Sequence, residues 1–155
     1  MRTPSRQTTE EKFRLISHIL TATFALTYLL LLLLAYISCH AYQDSYRLLL
    51  RILLFSAIPF LAVTALRYLI ALPRPSRADG EVQKKSYSFP SRHTYSAFFI
   101  ATLTFLFGGS AIYVLYPMAI LLAVARVLAG LHYPRDVVAG AGLGVIFGIL
   151  AILLI

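Results

Sequence analysis

The most restrictive feature of this 155-residue chain is where its charged residues fall. Asp, Glu, Lys and Arg are absent from four stretches: Leu15–Gln43, Ile52–Leu66, His93–Ala125 and Val137–Ile155. A charged side chain in the hydrocarbon core of a bilayer costs several kcal/mol, and a helix needs about 20 apolar residues to cross that core. Together with a hydrophobic content of 59%, the pattern predicts a polytopic membrane protein and excludes a soluble domain.

The third stretch is too long for one crossing, and Gly108, Gly109 and Ser110 divide it. The chain is therefore predicted to be all-α, a bundle of about five transmembrane helices. The predicted helices are Phe13–Ser38, Ser45–Leu72, His93–Phe107, Ala111–Ala129 and Arg135–Ile155. Residues 1–12 form a polar N-terminal tail in this prediction, and residues 73–90 form the one long loop. The length permits a single domain, residues 1–155.

Following these helices back and forth across the membrane brings three polar clusters to one membrane face. The clusters are Arg67 with Arg74, Ser91-Arg92-His93, and Arg126 with His132 and Asp136. The opposite face receives only short turns. An active site at a single membrane face is therefore expected.

The residue types in these clusters suit a phosphate group. Arginine can bind two phosphate oxygens at once and stays charged at any working pH. The start of the third helix adds backbone N–H donors and the Ser91 hydroxyl. Of the two histidines, one can attack phosphorus and the other can protonate the leaving oxygen, because imidazole titrates near neutral pH. Asp136 follows His132 at the spacing of one helical turn and can fix the tautomer of its ring.

No metal or other cofactor is predicted. The remaining acidic residues are scattered through polar segments without a hard-cation ligand pattern; they are Glu10, Glu11, Asp44, Asp79 and Glu81. A zinc site built from the two histidines and Asp136 is disfavoured by four nearby arginines. The basic residues that give the net charge of +8 lie beside the apolar stretches. Their position favours anionic lipid headgroups and the bilayer as partners, and not nucleic acid.

The three clusters resemble the tripartite signature of the type 2 phosphatidic acid phosphatase superfamily of membrane lipid phosphatases. That signature has a basic residue, six other residues and then Arg-Pro; next comes Pro-Ser-Gly-His, and last come Arg, His and Asp separated by five and three residues. The resemblance runs from Arg67 to Asp136 with these spacings. It implies that His132 forms a phosphohistidine, that Asp136 orients it and that His93 is the acid for the leaving group. Phosphate-binding residues by the same resemblance are Arg67, Arg74, Ser91 and Arg126.

The chain departs from the signature at two positions. Arg67 stands where lysine is usual, and Arg92 stands where glycine is usual. We hypothesise that Arg92 supplies extra positive charge for a second phosphate, which would favour diphosphate lipids. The chain also has one predicted helix fewer than the six common in the family.

Several alternatives stay open at the level of sequence. Bacterial relatives implied by the resemblance act on phosphatidylglycerophosphate, phosphatidic acid or undecaprenyl diphosphate in the cytoplasmic membrane. Phosphate transfer to a lipid hydroxyl would use the same residues, and a small transporter or channel subunit is the rival from another class. The positive-inside rule puts the active face in the cytoplasm, whereas the resemblance favours the outer face. The oligomeric state is not predicted.

Two further features have simpler interpretations. Gly140, Gly144 and Gly148 recur at every fourth residue and predict a close helix-packing seam, within the monomer or against a second copy. Three of the arginines outside the clusters are interpreted as topology anchors: Arg47, Arg51 and Arg77.

Overall fold

The structure is a computed structural model that describes residues 4–41, 46–75 and 87–155. In this part of the chain there are five α-helices, no strand and one 3₁₀ turn, so the predicted all-α class is confirmed. The helices are α1 (Pro4–Ala41), α2 (Tyr46–Ile70), α3 (Arg92–Leu103), α4 (Ile112–Leu128) and α5 (Pro134–Leu154), and the 3₁₀ turn is Thr104–Phe107. Most of the predicted loop, including the predicted anchor Arg77, lies outside the described residues.

The main difference from the sequence prediction is at the N-terminus. Residues 4–12 are not a separate polar tail, because α1 already begins at Pro4. Glu10, Glu11 and Lys12 are good helix formers, so the helix continues beyond the apolar stretch. Hydropathy marks where a helix would enter the membrane and not where the helix itself starts.

In the described part of the chain, three helical segments are long and apolar enough to cross a membrane: Thr8–Ile37, Leu49–Ile70 and Pro134–Leu154. The chain is therefore a multi-pass protein of the cell membrane. The apolar helix α4 has 17 residues, and α3 has only 12, a length of about 18 Å. Nine residues of α3 are buried. This short helix is the interior element of the bundle, and the other helices surround it.

The glycine seam of α5 packs against α3 within the monomer. A Cβ atom at Gly140 would lie 2.5 Å from the carbonyl oxygen of Ser91, and one at Gly144 would lie 2.5 Å from that of Tyr95. At Gly148 the nearest atom would be Cβ of Thr102, at 2.6 Å. The backbones of α3 and α5 can approach this closely only because the three positions have no side chain. The seam therefore fixes the start of α3 beside the start of α5.

Candidate active site

The predicted site residues converge where four helix ends meet. Arg67 lies in the last turn of α2, Arg126 in the last turn of α4 and Asp136 in the first turn of α5. Ser91 directly precedes α3, and its backbone N–H donates a 3.0 Å hydrogen bond to the carbonyl of Asp136. This bond joins the second and third clusters, which are far apart in the sequence.

A buried serine that sequence analysis did not select holds the two ends of the long loop together. The backbone N–H of Ser88 donates to the carbonyl of Leu72 at 2.8 Å, and its hydroxyl donates to the carbonyl of Pro73 at 3.0 Å. Arg67 donates from Nη2 to the carbonyl of Tyr87. Arg74 and the start of α3 are thereby brought to the same side of the bundle.

Gly130 determines how the chain returns from α4 to His132. Its φ of 65° is in the left-handed region that glycine tolerates. The N–H of Gly130 donates to the carbonyl of Val127 at 2.9 Å, and the N–H of Leu131 donates to that of Arg126 at 3.1 Å. These two bonds form a Schellman motif. The motif reverses the chain at the end of α4 and returns His132 to Arg126.

The two ring nitrogens of His132 face groups of opposite charge. Nη2 of Arg126 lies 3.3 Å from Nε2, and Oδ2 of Asp136 lies 3.7 Å from Nδ1. Because arginine can only donate, Nε2 in this contact accepts and carries no proton. The neutral ring then has its proton on Nδ1, toward Asp136. This tautomer leaves a lone pair on Nε2, the arrangement that a nucleophilic histidine requires.

Asp136 also caps the helix that carries it. Its Oδ2 accepts a 2.9 Å hydrogen bond from the backbone N–H of Tyr133, the residue before α5. A carboxylate in the first turn is stabilised by the helix dipole, and Asp136 is fully buried. The geometry of Asp136 therefore suits both a helix-capping role and the orienting role predicted from the sequence.

Positive charge dominates the site. His93 lies within range of the charges of four arginines; they are Arg126, Arg92, Arg67 and Arg74. Arg67 and Arg126 are each 4% exposed. Burial, and then the charge of Arg92, lowers the pKa of Arg74. Burial, followed by the charges of Arg126, Arg74 and Arg67, holds the pKa of His132 well below its ordinary value, so its ring is neutral near pH 7.

Several buried nitrogens in the cluster have no hydrogen-bond partner among the residues that the structure describes. They are Nε of Arg74, Nε of Arg126 and Nδ1 of His93; Nδ1 of His132 is also without a hydrogen bond, but it lies 3.7 Å from Oδ2 of Asp136. Buried polar groups in native proteins are nearly always paired. A phosphate group would supply acceptors to the first three nitrogens and would offset the charge of the arginines. The Ser91 hydroxyl differs, since it is paired at 3.0 Å with that of Thr94.

All eight predicted site residues therefore lie in or beside one cluster, and their roles stay predictions. Sequence analysis missed Ser88, Thr94 and Ser17; the hydroxyl of Ser17 accepts a hydrogen bond from Arg126. Thr94 directly follows the second cluster, which was the only available signal for it. Among the residues that the structure describes, no group of three or more His, Cys, Asp or Glu side chains could hold a metal ion.

With this geometry established, comparison with known proteins identifies the class. The family model of the PAP2 superfamily matches residues 24–155. The chain therefore belongs to the PAP2 superfamily, the class that the helical bundle and its arginine-rich site define.

Two solved structures resemble the chain along most of its length. A transmembrane PAP2-type phosphatidylglycerolphosphate phosphatase from Bacillus subtilis is 25% identical with a TM-score of 0.70, and the match covers 99% of this chain and 78% of that one. LpxE of Aquifex aeolicus is 30% identical with a TM-score of 0.57, and the match covers 92% and 93% of the two chains.

One curated relative matches over a shorter region. The bacitracin transport permease protein BcrC of Bacillus licheniformis is 44% identical over 59 residues. This match covers 38% of the present chain and 29% of the relative.

Proposed function

We propose that this chain is a lipid phosphatase that hydrolyses a phosphomonoester or diphosphate lipid through a phosphohistidine at His132. The observation that carries the proposal is the position of His132 between Asp136 and Arg126 inside a cluster of four arginines. A phosphoryl group carries its charge on three oxygens, so catalysis of its transfer depends mainly on positioning and positive electrostatics. Family membership and a phosphatase among the structural relatives support the same activity.

In the first step, Nε2 of His132 attacks phosphorus while the bond between phosphorus and the lipid oxygen breaks. His93, which can hold a proton once the bound phosphate offsets the charge of the arginines around it, donates that proton to the lipid oxygen. The dephosphorylated lipid leaves as an alcohol or, from a diphosphate, as a monophosphate. Asp136 stabilises the positive charge that develops on the His132 ring. The arginines hold the phosphoryl oxygens, and Nη2 of Arg126 must turn from Nε2 toward one of these oxygens before attack.

In the second step, water attacks phosphorus and the P–N bond breaks. His93, now neutral, accepts a proton from the water, which regenerates both histidines and releases inorganic phosphate. One residue thus serves as acid and then as base. If a lipid hydroxyl took the place of water, the product would be a new phospholipid instead of free phosphate.

The location of the site supports a lipid substrate. All four helix ends that form it belong to a membrane bundle, and apolar side chains beside it face outward. Leu69 is 82% exposed and lies two residues beyond Arg67, and Val138 is 70% exposed and lies two residues beyond Asp136. A lipid could place its phosphate among the arginines while its chains remain in the bilayer. One structural relative is a phosphatidylglycerolphosphate phosphatase, and the substrate in that name is a glycerolipid phosphate.

Arg92 supports a preference for diphosphate lipids. It stands where the family signature has glycine, and its charge reaches Arg74, Arg67 and His93. A second phosphate carries additional negative charge for this arginine to neutralise.

The name of the curated relative raises transport as a second candidate function. An ion or solute path would need polar groups through the depth of the bilayer. In the described part of the chain, the buried charged groups Arg67, Arg126 and Asp136 all lie at the same end of the bundle. This distribution favours a phosphatase.

The test is release of inorganic phosphate by purified protein from detergent-solubilised lipids. The panel would contain phosphatidic acid, phosphatidylglycerophosphate and a polyprenyl diphosphate, each with and without an acceptor lipid. We expect phosphate release that His132→Ala abolishes and that His18→Ala, at an exposed position of α1, leaves unchanged. Transport of a solute without phosphate release from any lipid would refute the proposal, and acceptor-dependent phospholipid formation without phosphate release would identify a phosphotransferase.

A further inference from the structure

Helix α1 carries none of the signature residues, yet it reaches the site through one side chain. Nη1 of Arg126 donates a 3.2 Å hydrogen bond to the hydroxyl oxygen of Ser17. Ser17 is fully buried, and Arg126 is 4% exposed. The two residues are 109 positions apart in the sequence, so the contact depends on the packing of α1 against α4.

The guanidinium of Arg126 is shared between α1 and His132. Nη1 is bound to Ser17, Nη2 lies 3.3 Å from Nε2 of His132, and the buried Nε has no hydrogen-bond partner in the described ranges 4–41, 46–75 and 87–155. In this position, Nη2 covers the nitrogen that would attack phosphorus. A substrate phosphate must therefore draw Nη2 away from the imidazole, and it can also bind the unpaired Nε, without displacing the whole side chain.

We propose that Ser17 is a positioning residue that anchors Nη1 of Arg126 while Nη2 leaves the imidazole and, together with the unpaired Nε, binds the phosphoryl oxygens. This inference rests on the proposed function. With one end of the planar group fixed, Arg126 needs only a small rotation to move from His132 to the substrate. Catalytic geometry is sensitive to displacements of about 1 Å, so loss of the anchor would weaken transition-state binding more than ground-state binding.

A small residue in a helix interface can also serve packing alone, and this is the competing explanation. Alanine would satisfy packing equally well, because it removes only the hydroxyl oxygen. Ser17→Ala therefore separates the two explanations. Thr23→Val is the matched control: the Thr23 hydroxyl is also on α1, but it donates to the carbonyl of Ile19 in its own helix.

The experiment is a double-mutant cycle with Ser17→Ala and Arg126→Ala, measured as phosphate release from the best lipid of the panel. We expect Ser17→Ala to lower kcat about tenfold with KM changed by less than about twofold, because the lost interaction acts mainly in the transition state. In the Arg126→Ala background, Ser17→Ala should have no further effect, because the group it positions is gone. Thr23→Val should retain wild-type kcat.

The possible outcomes distinguish this inference from the proposed function. Suppose that the wild type releases phosphate. An unchanged kcat in Ser17→Ala, or an equal effect of Ser17→Ala with and without Arg126, would then overturn the role of Ser17 and leave the phosphatase proposal intact. No turnover of any lipid by the wild type would overturn the proposed function. In that case the role of Ser17 is tested by the increase in Tm that inorganic phosphate causes in the detergent-solubilised protein. A smaller increase in Tm than in the wild type, found in Ser17→Ala but not in Thr23→Val, supports the anchoring role of Ser17. Equal increases in the wild type and Ser17→Ala refute it.

Discussion

Oδ2 of Asp136 lies 3.7 Å from Nδ1 of His132. Asp136 is in the first turn of α5, and His132 is in the loop just before that helix. The same oxygen accepts a hydrogen bond from the backbone N–H of Tyr133. Its position is therefore set by the backbone of the helix start and does not depend on the histidine. The negative charge of a carboxylate fixed in this way favours the His132 tautomer with its proton on Nδ1, so the lone pair of Nε2 can attack once Nη2 of Arg126 has turned away.

The first prediction concerns this carboxylate. Asp136→Asn keeps an oxygen that can accept from Tyr133, but it removes the charge that stabilises the developing imidazolium. We expect kcat to fall by about 100-fold or more, with helical content in circular dichroism unchanged. A variant with wild-type kcat would show that Asp136 acts only as a helix cap.

The second prediction concerns the pH dependence of catalysis. Positive charge near His132 opposes its protonation, so removal of the Arg74 charge in Arg74→Gln should raise the pKa of His132. The acidic limb of the pH profile of kcat/KM reports protonation of the nucleophile in the free enzyme. It should therefore move to higher pH in Arg74→Gln, whatever the loss in absolute rate. A limb at the wild-type pH, or below it, would contradict the electrostatic account.

The third prediction concerns the seam between α3 and α5. In Gly144→Ala, the new Cβ would lie 2.5 Å from the carbonyl oxygen of Tyr95 and 2.9 Å from Cβ of Phe98, so the two helices must separate. We expect a loss of about 1–3 kcal/mol in stability, seen as a lower Tm in detergent, together with reduced activity.

Gly142→Ala provides the matched control for the seam. It lies on the same helix, and its Cβ would have no neighbour within 4 Å. Because alanine favours helix formation over glycine by about 1 kcal/mol, this variant should be neutral or slightly more stable. Equal Tm changes in the two variants would show that α3 and α5 do not depend on close contact at Gly144.

The fourth prediction concerns Arg92. If its charge serves a second phosphate, Arg92→Gly should lower activity on a diphosphate lipid several-fold more than activity on the matching monophosphate lipid. The ratio of initial rates on the two lipids measures this effect, and Arg47→Gly, at an exposed position near the start of α2, is the control. An unchanged ratio would remove the basis for a diphosphate preference.

Much of this arrangement could be predicted from the sequence, because the relevant signals are local. Charge-free stretches define the helices, and Arg67, His93 and Asp136 belong to short motifs with fixed spacing. The spacing of Gly140, Gly144 and Gly148 predicted a seam, but it could not identify α3 as the partner. A glycine pattern describes one surface of a contact and carries no information about the other.

The missed features depend on tertiary contacts or on backbone conformation. Ser17 is one hydroxyl on an apolar helix, and nothing near it in the sequence indicates that it meets Arg126. Gly130 resembles any glycine after a helix until its φ and its neighbours' hydrogen bonds are known. The early start of α1 at Pro4 was missed because the apolar stretch gives the membrane boundary and not the helix end.

The most direct test of the account is detection of the phosphorylated enzyme. Wild-type protein would be mixed with a lipid labelled in its terminal phosphate, quenched in alkali within a single turnover and digested for mass spectrometry. The account predicts a phosphohistidine on the peptide containing His132, and no labelled peptide in His132→Ala. Phosphate attached to His93 or to no residue at all, with His132→Ala still turning over at the wild-type rate, would contradict it.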